Sequence, residues 1–111
     1  MAERRTYLRV AFDSEVWLGQ DGLFTRTSER LSNVSIGGAF IETGQGFPAG
    51  AIVGLRFALG SIFINSTVIV RNVYPGQGIG VQFLDISPED RNRLQVFIQE
   101  RAERTDARDD A

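Results

Sequence analysis

The sequence predicts a mainly-β domain: a small barrel of six antiparallel strands with one C-terminal α-helix. Three observations carry this. Apolar and polar residues alternate over long stretches between Leu8 and Leu84, the period of a strand with one core face. Glycine-rich turns break the pattern at short intervals, as GQDG at 19–22, TGQGFPAG at 43–50 and PGQG at 75–78. Past residue 86 the apolar period lengthens to that of a helix.

Residues 1–8 read as an arginine-bearing arm that runs into the first strand, 8–18. There Leu8, Val10, Phe12, Val16 and Leu18 share one side, and Arg9, Ala11, Asp13, Glu15 and Trp17 share the other. GQDG then turns the chain into a second strand, 23–35, as a hairpin. Short runs predict further strands at 39–42, 51–59, 61–74 and 79–84. SPEDRNRLQVFIQERAER opens with Ser87 as N-cap, Pro88 at the first helical position and Glu89 and Asp90 in the first turn. Leu94, Phe97 and Ile98 then form an apolar stripe, so a helix over 87–104 packs on the sheet. The polar TDARDDA, 105–111, reads as a disordered tail beyond a single domain, 1–104.

Composition narrows the function. The 111 residues hold 42% apolar and 23% charged residues, suited to one core. No apolar run approaches the ~20 residues that span a bilayer, so no membrane insertion is expected. The charged N-terminus has no apolar segment behind it, which argues against a secretory leader and makes cytoplasm the expected location. There is no cysteine for a thiolate metal site and no histidine, the commonest general base and metal ligand. An enzyme and a metal cofactor are therefore not expected. The net charge of −2 argues against a DNA- or RNA-binding barrel. All twelve basic residues are arginine, each a planar fork suited to phosphates and guanine edges.

Two polar constellations stand out. Arg5 and Arg9 lie four apart in RRTYLR and, on extended chain, point the same way about 13 Å apart. Such a pair fits a planar anionic ligand; taken alone, it fits a solvated arm as well. In LSNVSIGGAF, Asn33 and Ser35 share parity and point away from Val34 and Ile36. Gly37 and Gly38 permit positive φ and close approach of a ligand to the backbone. Alone, this stretch fits equally a Ser/Asn-stabilised turn whose glycines serve only the chain. GQGIG at 76–80 has no helix after it and reads as hairpin glycine rather than a dinucleotide loop.

Together the two resemble the PilZ domain, a bacterial receptor module for cyclic di-GMP whose pattern is R-x-x-x-R followed by [D/N]-x-S-x-x-G. Arg5-Thr-Tyr-Leu-Arg9 matches the first half and Asn33-Val-Ser35-Ile-Gly-Gly38 the second. GGAFIET and GIGVQF also look like PilZ strands. The resemblance spans about residues 3–101 and implies a PilZ-type barrel of six strands with a C-terminal helix.

It further implies that the arm wraps cyclic di-GMP over a floor made by the second motif. Arg5 and Arg9 would hold phosphates and guanine edges, and Asn33 and Ser35 would hydrogen-bond a guanine. Gly37 and Gly38 would leave room for the ligand, and Arg4 would add a stacking contact where two ligands stack. Asn33 is the amide variant of the pattern and lacks the carboxylate charge. The implied protein is a non-catalytic receptor, a monomer or weak homodimer, that signals to a separate, unidentified protein partner. The alternative is a PilZ-fold adaptor that binds protein and no nucleotide.

Overall fold

The computed structural model of the chain describes residues 9–20, 23–44 and 47–110. Its elements are β1 (Val10–Gln20), β2 (Leu23–Val34), β3 (Gly38–Glu42), β4 (Ile52–Leu59), β5 (Ile62–Tyr74), β6 (Gly78–Ile86) and α1 (Pro88–Asp110). The strands close into an antiparallel barrel in the order β1-β2-β3-β6-β5-β4. Chain neighbours pair as hairpins in β1–β2, β2–β3, β4–β5 and β5–β6. Two long-range ladders complete the ring. One runs from Val16 opposite Phe57 to Gly19 opposite Gly54, and the other from Gly38 opposite Gln82 to Glu42 opposite Gly78.

The alternation seen in the sequence fills the barrel. Val53, Leu55, Phe57 and Leu59 of β4 face inward, as do Ile64, Ser66, Val68 and Val70 of β5. On β1 the predicted parity holds for Val10, Val16 and Leu18, which are buried, while Phe12 packs partly against the core. Phe57 is fully buried. Each such side chain contributes roughly 1.5–3 kcal/mol on leaving water.

The buried hydroxyls of Ser14 and Ser66 are paired. The Ser14 hydroxyl donates to the Ala58 carbonyl at 3.2 Å and accepts from the Ala58 N–H at 3.2 Å. It thereby ties β1 to β4 just before their ladder begins. The Ser66 hydroxyl donates to the Leu55 carbonyl at 3.1 Å. Outside the barrel, Arg30 Nε donates to Asp13 Oδ1 at 2.9 Å and holds that carboxyl below its usual range.

Helix α1 starts as its sequence requires. The Asp90 N–H donates to Ser87 Oγ at 3.1 Å, the expected N-cap. Asp90 Oδ2 also accepts from the Asn65 N–H at 3.4 Å, which docks the first turn on β5. Leu94 and Ile98 join the barrel core, and Phe97 meets Phe12 edge-on at 4.6 Å. The Arg101 guanidinium lies 5.5 Å from the Phe12 ring and 5.2 Å from the Phe97 ring.

Several sequence boundaries move. β1 starts at Val10 and β6 runs on to Ile86. Helix α1 runs Pro88–Asp110, past the expected end at 104.

Truncating Phe57 to alanine should cost about 3–5 kcal/mol, because the closed wall collapses poorly onto the void. Urea unfolding of the variant against wild type measures this.

Candidate functional site

Pairing of β1 with β2 sets Val10 opposite Val34 and Ala11 opposite Asn33. Arg9 therefore emerges beside the end of β2, and its Nη1 donates to Asn33 Oδ1 at 2.7 Å. One residue from each half of the sequence pattern thus meets the other across 24 positions of chain. Arg4 and Arg5 lie outside the described residues.

β2 ends at Val34, so the strand parity that would aim Ser35 outward with Asn33 stops one residue too early. Ser35 is buried, at 3% exposure. Its Oγ accepts from the N–H groups of Gly37 at 3.1 Å and Gly38 at 3.2 Å, while its own N–H donates to the Gly38 carbonyl at 2.8 Å. The Gly37 carbonyl accepts from the Phe83 N–H at 2.9 Å, fastening the turn to β6. The serine thus shapes the turn, where the sequence reading had it facing a ligand.

The glycines also serve the chain. Among the described residues, positive φ falls at Gly50, Gly60 and Gly76, not at Gly37 or Gly38. A Cβ at Gly38 would overlap the Val81 carbonyl oxygen, so the missing side chain admits the neighbouring strand.

Above this turn lies an open groove of ≈ 570 Å³. Its floor is the outer face of the β3–β6 ladder around Gly38, Phe40, Gly80 and Gln82, with Ser35 and Gly37 at its edge. Arg9 bounds it on the β1–β2 side, Arg71 and Tyr74 on the β5 side, and Arg91 at the start of α1. Asn33 does not line the groove but holds Arg9, which does. Three arginines face one acid, Asp85, so the groove is cationic in a chain of net charge −2.

Sequence reasoning singled out neither Arg71, Tyr74 and Gln82 nor Arg91. The signal for Arg71 was an arginine directly after the apolar alternation of β5. Trp17, on the outer face as its parity requires, is not among the groove residues. It packs edge-on against Phe63 at 5.3 Å, beside Arg56.

The chain is thus a small β domain: a closed six-stranded barrel with a C-terminal helix and an arginine–asparagine pair beside a cationic groove. The sequence matches the PilZ domain family over residues 3–100, and the chain belongs to that family. No curated protein sequence matches it.

Solved structures agree on the fold. The Bacillus subtilis inhibitor of motility MotI/DgrA superposes with a TM-score of 0.79 at 21% identity, covering 92% of this chain and 53% of that one. This chain therefore spans about half the length of that protein. The PilZ domain of Escherichia coli YcgR, solved with c-di-GMP, gives a TM-score of 0.68 at 20% identity and covers 97% and 98%. An uncharacterised Legionella protein gives 0.58 at 17% identity, covering 89% and 99%.

Gly38→Ala should destabilise the barrel by about 1–3 kcal/mol through overpacking against the Val81 backbone. Gly44→Ala, with nothing within 4 Å of the new Cβ, should leave the unfolding midpoint unchanged. Ser35→Ala should cost about 1–3 kcal/mol by taking the acceptor from the buried Gly38 N–H and the part-buried Gly37 N–H. Denaturant titration of the three variants checks each value.

Proposed function

We propose that this chain is a non-catalytic receptor for cyclic di-GMP that acts on a separate protein partner in the cytoplasm. The observation that carries the reading is the Arg9–Asn33 hydrogen bond at the rim of a cationic groove. It joins the two halves of the family pattern in one place. Membership of the PilZ family and the fold shared with a ligand-bound YcgR domain support the same reading. The groove volume falls within the ~300–1,000 Å³ usual for small-molecule sites.

In this reading Arg9 and Arg5 grip phosphates and guanine edges with bidentate, charge-assisted hydrogen bonds. Arg4 adds a stacking contact. Asn33 supplies an amide that orients Arg9 and offers donors and an acceptor to a base. Ser35, Gly37 and Gly38 act indirectly: they hold the turn that forms the groove edge. The ligand orders the arm against the barrel, and the ordered surface favours one state of the partner contact. Only a difference in ligand affinity between the two states drives such a shift.

Calorimetric titration with cyclic di-GMP should give saturable binding of micromolar affinity or tighter. Arg5→Ala and Arg9→Ala should each remove most of it, and Arg9→Ala should leave the unfolding midpoint unchanged, since Arg9 is exposed. Absence of heat and of any ligand-induced thermal shift in wild type would sink the receptor reading and favour the adaptor.

A further inference from the structure

The β5–β6 ladder contains two irregularities, and both lie at the groove. The register passes from Val70 opposite Val81 to Asn72 opposite Gly80, which leaves Arg71 unopposed. It also passes from Thr67 opposite Asp85 to Val68 opposite Phe83, which leaves Leu84 unopposed. Both extra residues line the groove. A bulge bends its strand and re-aims the side chain it carries. Arg71 is then fixed by its Nε, which donates to Gln82 Oε1 at 2.7 Å. Its terminal nitrogens have no partner among the described residues.

The first turns of α1 add a second cation. Arg93 is occupied, with Nη1 donating to Asp90 Oδ1 at 3.1 Å. Arg91 is exposed, lines the groove and has no side-chain partner among the described residues. The family pattern in the sequence contains neither Arg71 nor Arg91.

The spacing limits what can touch both sides. From β2, beside which Arg9 stands, to β5, which carries Arg71, is three strand steps, about 14 Å at ~4.8 Å per step. A mononucleotide with one phosphate engages one flank. A dinucleotide with two phosphates spans the floor and engages both.

We propose that Arg71 and Arg91 form a second binding wall for the far phosphate and sugar of a two-phosphate nucleotide, which makes α1 part of the site. This rests on the receptor reading above. Gln82 is a positioning residue that holds the Arg71 fork toward the groove. Occupancy is then felt by the helix whose Leu94 and Ile98 complete the core, so α1 is the element through which binding reaches the far side of the barrel.

The test is calorimetric titration of the full chain with cyclic di-GMP and, separately, with GMP. Arg71→Ala and Arg91→Ala should each weaken cyclic di-GMP binding about tenfold or more, the loss of a charge-assisted contact. Both should leave any weak GMP binding unchanged. Gln82→Ala should weaken it less, and Arg93→Ala not at all. Ligand should slow amide hydrogen exchange in α1 of wild type, and Arg91→Ala should remove that slowing. Wild-type binding with Arg71→Ala and Arg91→Ala as tight as wild type would overturn this inference and leave the receptor reading standing. No wild-type binding would overturn both.

Discussion

Everything in this fold depends on how closely β3 approaches β6. The five-residue β3 is the shortest strand, and its ladder with β6 is one of the two long-range closures of the ring. Two glycines permit it. Gly38 leaves space for the Val81 carbonyl, and Gly78 leaves space for the Ile41 carbonyl and the Phe40 ring. A closed barrel has no free edge to recruit another chain. Ile41, Val81 and Leu31 are buried because that closure holds. The outer face of the same ladder is the groove floor, so the constraint that completes the core also makes the site.

The inner and outer faces of the seam obey different physics. Inside, short side chains are fixed by packing and by the Ser14, Ser35 and Ser66 hydroxyls, each with partners supplied by the chain. Outside, the groove is bounded by arginines, whose long side chains carry rotamer entropy that binding has to overcome. The Arg9–Asn33 and Arg71–Gln82 bonds reduce that cost, because each fixes one end of a fork before a ligand arrives.

The barrel was legible in the sequence because alternation is a local signal. Val10, Val16 and Leu18, or Leu94 and Ile98, announce their faces through spacing alone. Half of the candidate site was legible for a different reason, since Arg9 and Asn33 sit in a family pattern that their contact now explains. The rest was hidden by departures from regular pairing. Ser35 turned inward because β2 stops one residue before it. Arg71 sits at a bulge, and a bulge is a property of two strands in register, invisible along one. Arg91 lines the groove because α1 begins at Pro88, directly after β6 ends at Ile86, a placement that helix periodicity does not encode.

The sole tryptophan, Trp17, stands across the other closing seam, opposite Arg56 and in edge contact with Phe63. The Arg56 guanidinium lies 5.9 Å from its ring and 4.5 Å from that of Phe63, and the Arg56 Nε is buried without a hydrogen-bond partner among the described residues. This indole is therefore an optical gauge of whether β1 and β4 are still joined. Because it lies apart from the groove residues, its emission follows the integrity of the wall and is largely blind to what sits in the groove. Folding and occupancy thus fall on separate channels, and a loss of one is not mistaken for a loss of the other.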